Sequence, residues 1–285
     1  MTASPVANLT IADAMAMRER LRKVSDTPDL DVALLLCECL AKPRSYLYSW
    51  PERELDLAQI QRYLSLLARR IDGEPIAHIL ARRDFWSLPL AVSPATLIPR
   101  PDTECLVERA LEMLAEQDSP AILDLGTGTG AIALAIGSER ADAQVVASDF
   151  FPEVVALAEQ NRIALAVSNV RVICSNWFSS MKGLRFKLIV SNPPYIDPQD
   201  PHLDEGDVRF EPRSALVAGN KGMADLFSII GEAPNFLLPG GELLLEHGFD
   251  QGALVRQALR DRGFVSVASR NDYGGNERIS WGTWT

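Results

Sequence analysis

Long hydrophobic runs are absent. Nowhere in the 285 residues do roughly 18 apolar residues follow one another, so no membrane-spanning helix and no membrane partner are expected. The first residues, MTASPVANLTIADAM, have no basic start followed by an apolar core. They do not read as a secretion signal, and a cytoplasmic protein is expected. Basic residues are in deficit, with 28 Lys and Arg against 38 Asp and Glu. The net charge of -10 disfavours a partner held through phosphates, because that mode of binding requires clustered Lys and Arg. Cysteine is scarce. Of Cys37, Cys39, Cys105 and Cys174, only the first two are close, as C-x-C in an apolar stretch, and His78, His202 and His247 are scattered. A zinc site needs paired ligands at other spacings, so the expectation is reduced, packed cysteines and no metal.

What is present falls into two halves with different periods. LTIADAMAMRERLRKVS has Thr10 as a candidate N-cap and apolar residues Ile11, Met15 and Leu21 at helical spacing. DLDVALLLCECLA follows, starting near Asp29 and stopped by Pro43. LDLAQIQRYLSLLARRI predicts a third helix with Leu57, Ile60, Leu64 and Leu67 on one face. Short connections make residues 1–72 a small helical bundle. Residues 73–99 are rich in proline and alternation, which predicts a β-hairpin linker. From residue 100 to 285, short apolar strands alternate with helices, beginning with DTECLVERALEMLAEQ and AILDLG. That order predicts an α/β domain with a mostly parallel sheet covered by helices on both faces, and an antiparallel pairing of the last two strands.

ILDLGTGTGAIALAI places Gly126, Thr127, Gly128, Thr129 and Gly130 between a strand and a helix. Glycines there let a ligand approach backbone N–H groups. Asp149 ends the next strand and can accept hydrogen bonds from ribose hydroxyls. Loop and acid together indicate an adenosine-containing ligand, without separating a dinucleotide from S-adenosylmethionine. The spacing, G-x-G-x-G, departs from the dinucleotide fingerprint G-x-G-x-x-G.

LIVSNPPYID sets two consecutive prolines at the end of a strand, with Asn192 read as its last residue. Pro193 and Pro194 fix φ, have no N–H and hold their neighbours extended. The Asn192 side-chain oxygen and outward backbone carbonyls then form a stiff acceptor corner, and Tyr195 adds a flat face. Such a corner suits a planar NH2 group, either a carboxamide or an exocyclic amine. Holding both hydrogens turns the nitrogen lone pair towards an electrophile, which here would be the methyl of a sulfonium. No strong general base is required, because nitrogen becomes acidic once methylated.

FWSLPLAVSPATLIPRPDTE, ILDLGTGTGAIALAIGSER, SNPPYIDPQDPHL, GDVRFEPRSALVAG and LLLEHG together resemble the release-factor glutamine methyltransferases, the PrmC/HemK family, over nearly the whole chain. The resemblance implies a class I methyltransferase-like seven-stranded sheet in residues 100–285. Its implied reaction is methyl transfer from S-adenosyl-L-methionine, leaving S-adenosyl-L-homocysteine, to the glutamine amide nitrogen of the Gly-Gly-Gln motif in class 1 peptide chain release factors. It also implies that the helical domain, 1–72, recognises the release factor; a monomer is expected, and from the net charge no direct contact with nucleic acid. Gly126, Thr127, Gly128, Thr129, Gly130, Asp149, Trp177 and Asn192 would then hold the cofactor. Asn192, Pro193, Pro194 and Tyr195 would line the glutamine slot, with Asn192, Pro193 and Tyr195 catalytic. Arg100 and Glu104 would lie near the cofactor, while Glu246 and His247 would be structural or cofactor-side groups rather than an acid/base pair. Two residues depart from the family pattern: Ala81 stands where glycine is usual, and Asn176 where aspartate is common. The main rival reading is a nucleic-acid exocyclic-amine methyltransferase of the N6-adenine type. It would need a basic groove to hold a flipped base. The other rival is a non-catalytic protein that binds S-adenosylmethionine and a partner, and it is disfavoured because nothing is missing from the N-P-P-Y turn.

Overall fold

The computed structural model describes residues 9–285 and divides into two compact units. The first runs to Ala81 and includes His202–Phe210. It holds α1 (Ile11–Ala16), α2 (Pro28–Leu40), α3 (Arg44–Ser49), α4 (Leu57–Ile71) and α5 (Ile76–Leu80). Thr10 caps α1 as expected: its hydroxyl accepts from the Asp13 N–H at 3.1 Å, while the Asp13 carboxylate takes the Thr10 N–H at 3.0 Å. Asp56 and Gln59 repeat that box on α4. The first predicted helix is shorter than expected, since a 3₁₀ turn, Met17–Leu21, replaces its second half.

The inward face of α4 also differs from expectation. Leu57 is 62% and Leu64 39% exposed, whereas Ile60, Tyr63, Leu67 and Arg70 are buried. Both sets fit helical spacing, and the choice is made by partners that the hydrophobic pattern does not show. Tyr63 donates its hydroxyl proton to the Ala14 carbonyl at 2.8 Å. Arg70 donates to Asp31 at 2.7 Å and to Asp207 at 2.8 Å. A buried guanidinium is tolerated only when paired this way, and losing one partner costs several kcal/mol.

The second unit comprises Arg82–Pro201 and Glu211–Thr285. It opens with a hairpin of β1 (Arg82–Phe85) and β2 (Leu88–Ala91), whose two-residue turn has positive φ at both Trp86 and Ser87. There follow α6 (Glu104–Met113), β3 (Ala121–Leu125), α7 (Ala131–Glu139), β4 (Gln144–Asp149), α8 (Pro152–Ala164), β5 (Val170–Cys174) and β6 (Phe186–Ser191). The rest is α9 (Arg213–Leu216), α10 (Ala224–Glu232), β7 (Leu237–Glu246), α11 (Gly252–Arg262), β8 (Val265–Asn271) and β9 (Glu277–Thr283).

Seven strands form one sheet in the order β5-β4-β3-β6-β7-β9-β8. β9 inserts between β7 and β8, so two antiparallel ladders close the sheet rather than the single one expected. Successive strand residues face opposite sides. Ile122, Leu188, Val190 and Leu244 enter one core with α6 and α7, while Leu123, Ile189, Leu243 and Leu245 enter another with α10 and α11. The central strands are therefore apolar on both faces, as a covered parallel sheet requires.

Candidate active site

Strand register assembles the site. Leu125 of β3 pairs with Ser148 of β4 and with Ser191 of β6, and Ser191 pairs with Leu245 of β7. Gly126, Asp149, Asn192 and Glu246 are each the next residue, so four chemically distinct groups share one carboxyl edge of the sheet. Open α/β sheets bind ligands at that edge. Asn192 lies one residue past the strand, which ends at Ser191.

A pocket of about 340 Å³ occupies this edge. Gly126, Thr127, Gly128, Thr129, Asp149, Asn176, Trp177, Asn192 and Pro194 border it. Gly130 does not; its role is local. It starts α7 at φ +86°, and a Cβ there would press on Leu134 at 3.0 Å. A Cβ on Gly128, in contrast, would meet nothing within 4 Å, which leaves open space over the loop for a ligand. Asp149 braces the loop by accepting the Gly128 N–H at 3.0 Å, and it also takes the Phe151 N–H at 3.3 Å. Burial raises its pKa, and these backbone donors pull it back.

Asp124, which spacing alone did not single out, supports the loop from below. Its carboxylate accepts the Thr127 hydroxyl at 2.6 Å and the Ala133 N–H at 3.2 Å. Complete burial pushes it up to about 7, and its second oxygen has no partner.

The N-P-P-Y turn is held from several sides. Leu216 O accepts from the N–H groups of Tyr195 and Ile196, and Gln251 Nε2 donates to the Tyr195 carbonyl at 2.9 Å. Gly222 packs directly against that carbonyl, and a Cβ there would collide with it. Of the turn residues, Asn192 and Pro194 border the pocket, while Pro193 is buried. Tyr195 is half-buried outside the pocket lining and donates its hydroxyl proton to Glu246 at 3.2 Å. Asn192 Nδ2 donates to Thr103 Oγ1 at 3.3 Å.

Arg100 borders the pocket, paired with the buried Glu211. Glu104 is not in the lining; it accepts the Trp86 N–H at 3.0 Å and steadies the hairpin turn. Glu246 and His247 have separate partners, since the His247 ring lies between Gly248 O and the Ser280 hydroxyl. Sequence reasoning also missed Thr96, Thr103, Phe150 and Asp225 in the lining. Thr103 had a signal in its place inside IPRPDTE, whereas Asp225 had none.

The braced glycine loop and the strand order together give the fold of a class I methyltransferase. Residues 15–80 match the PrmC N-terminal domain family, and residues 103–206 match the methyltransferase small domain family. A release factor glutamine methyltransferase of Salmonella typhimurium is 57% identical over 92% of this chain and 94% of its own length. Proteins of that name from Pseudomonas aeruginosa and Escherichia coli are 56% and 53% identical, covering 93% and 94% of this chain and 97% of each relative. Among solved structures, a methyltransferase from Pyrococcus furiosus aligns with TM-score 0.53 and 21% identity over 77% of this chain and 97% of that one. A 16S rRNA methyltransferase of T. thermophilus, in complex with AdoMet and guanosine, aligns with TM-score 0.52 and 18% identity over 72% of this chain and 50% of that one. These two bear on the fold alone. The chain belongs to the release factor glutamine methyltransferase family.

Proposed function

We propose that this enzyme transfers a methyl group from S-adenosyl-L-methionine to the side-chain amide nitrogen of the glutamine in the Gly-Gly-Gln motif of class 1 peptide chain release factors. The observation that carries the reading is Asn192. It borders the pocket, and its Nδ2 is engaged by Thr103, which leaves its carbonyl oxygen as the acceptor for a substrate NH2. Bound S-adenosyl-L-methionine supplies a sulfonium methyl, an electrophilic carbon. The Gly126–Gly130 loop gives a bare backbone surface, open above Gly128, Asp149 accepts from ribose hydroxyls, and Trp177 gives an apolar face for adenine. Asn176 retains an oxygen that can accept from an adenine amine. Asn192, backed by Pro193 and Pro194, orients the glutamine amide, and its nitrogen sheds a proton to water as the new bond forms. Tyr195 sets the back of this corner through its hydroxyl rather than as a face in the pocket lining.

Residues 1–72 are read as the part that contacts the release factor, which fits their match to the PrmC N-terminal domain family. We read the enzyme as a cytoplasmic monomer that does not bind nucleic acid directly. The named relatives favour a release factor over a nucleic-acid base, and the -10 net charge agrees with them. The test is mass spectrometry of a class 1 release factor after incubation with enzyme and cofactor. One methyl on the Gly-Gly-Gln glutamine is expected. Asn192→Ala should reduce transfer by about a hundredfold or more, the scale of losing an oriented polar contact at a reacting centre, with cofactor affinity changed far less. An unmodified glutamine would refute the reading, and near-normal turnover by Asn192→Ala would refute the role given to that residue.

A further inference from the structure

The two ends of an asparagine amide have nearly the same shape and opposite chemistry: Oδ1 accepts and Nδ2 donates. For Asn192 to hold a substrate NH2, its oxygen must face the substrate, so something must fix which way the amide is turned. Asn192 Nδ2 donates to Thr103 Oγ1. A hydroxyl has a single proton. Were Thr103 to donate it to Asn192, the amide would turn over and present Nδ2 to the substrate. The Thr103 proton therefore needs another acceptor. Register supplies one, because the pairing of Ser191 with Leu245 sets Glu246 beside Asn192. The Thr103 hydroxyl approaches the Glu246 carboxylate and favours its charged form. Glu246 is 1% exposed; its Oε1 takes the Tyr195 proton, and its Oε2 makes no fully formed hydrogen bond, so an acceptor site stands open.

We propose that Glu246 is a positioning residue: by accepting the hydroxyl protons of Thr103 and Tyr195 it locks Thr103 as an acceptor towards Asn192, and so turns the Asn192 carbonyl oxygen to the substrate amide. This deepens the function proposed above and rests on Asn192 as the amide-binding group. Glu246 acts through Thr103 and does not border the pocket. Once protonated, Glu246 donates instead of accepting. Thr103 is then free to donate to Asn192 Oδ1, and the amide flips. Burial pushes Glu246 up to about 7, which places this change near neutral pH. The groups facing it are Tyr195 from the turn after β6, Asp102 and Thr103 from the 3₁₀ turn before α6, Cys105 from α6, and Arg278 from β9. Burial keeps Tyr195 and Cys105 neutral. Arg278, which also pairs with Asp272 at 3.0 Å, favours the charged carboxylate, and Asp102 opposes it.

The test measures kcat, KM and cofactor affinity with the full-length enzyme and a class 1 release factor, from about pH 5.5 to about pH 8.5. Wild-type kcat should rise with pH through about 7. In Glu246→Gln the amide nitrogen donates where the carboxylate accepted. Its kcat should fall about tenfold or more and lose that rising limb, with cofactor Kd within about twofold. Thr103→Val should show a similar loss, Thr103→Ser should recover most of it, and Thr103→Val with Glu246→Gln should be no worse than either alone. The Thr103 pair decides the matter even if Glu246→Gln folds poorly. A merely structural Glu246 would lower the melting temperature and leave the shape of the pH profile intact. Wild-type turnover or an unchanged pH limb in Glu246→Gln, or full activity in Thr103→Val, would overturn this role alone. A wild-type enzyme inactive on release factors would overturn the substrate reading, and this inference with it.

Discussion

On the function proposed above, one carboxylate, Asp149, serves both loop and ligand. Its Oδ2 takes the Gly128 N–H and its Oδ1 the Phe151 N–H, the Phe150 N–H also favours its charged form, and a remaining lone pair would accept from a ribose hydroxyl. Asp149→Ala removes that acceptor and also leaves the Gly128 N–H without its partner. Hydrogen bonds to a charged group contribute about 1.5–3 kcal/mol, so cofactor Kd should rise roughly ten- to a hundredfold, with kcat at saturating cofactor changed much less. Calorimetry giving an unchanged Kd would remove Asp149 from the ribose role. Residues of this kind were legible because strand–glycine loop–helix and strand–acid are local patterns. Asn192 was legible for the same reason, since the double proline marks where its strand must stop. The pairing of Thr103 with Glu246 was not, because it depends on a meeting of segments far apart in the chain. Only the β6–β7 register sets Glu246 beside Asn192. Asp124 was hidden differently: in AILDLG it reads as part of an apolar strand, and its task appears only when Thr127 folds back onto it.

Elements were legible in proportion to their length. The central strands and the helices between them repeat a pattern often enough to outweigh single residues. α3 and α5, with six and five residues, are too short to show a period, and α5 falls in a proline-rich stretch that predicts strand pairing. The end of α5 carries a cost that the sequence did announce. Ala81 closes the helix in the left-handed region at φ 54°, where a Cβ crowds the following carbonyl. Glycine has no such penalty there. Ala81→Gly should therefore stabilise the first unit by about 1 kcal/mol, despite the greater freedom it gives the unfolded chain. Urea denaturation followed by a probe within residues 9–81 measures this. A destabilised variant would show that the left-handed cap is not strained. The α4 face failed for a different reason: Tyr63 and Arg70 are buried through hydrogen bonds to backbone and carboxylate, and a hydrophobic pattern does not anticipate those partners.

Across the whole molecule, the titrating groups pull stability in opposite directions. Two arginines hold Glu112 down at about 2, so its contribution is present above its unfolded value and is lost as pH falls towards 2. His247 is buried and its pKa lowered, so its contribution is lost as pH falls through the usual histidine range. Asp124 and Glu246 act the other way. Burial raises both to about 7, so from about pH 4 to about pH 7 the folded chain keeps protons that the unfolded chain has released. Raising pH through that window therefore favours unfolding. Because these contributions overlap, the wild-type curve alone does not separate them, and a difference between two proteins does. Asp124→Asn has nearly the shape of the protonated acid. Its side-chain oxygen can still accept from Thr127 and Ala133, but it no longer titrates. The stability of Asp124→Asn minus that of the wild type should rise steadily between about pH 4 and about pH 7 and level off beyond, as read from denaturant midpoints at constant ionic strength. A flat difference would mean that Asp124 ionises in the folded enzyme as easily as in the unfolded chain. The glycine loop would then rest on a charged carboxylate rather than on the neutral acid that its burial favours.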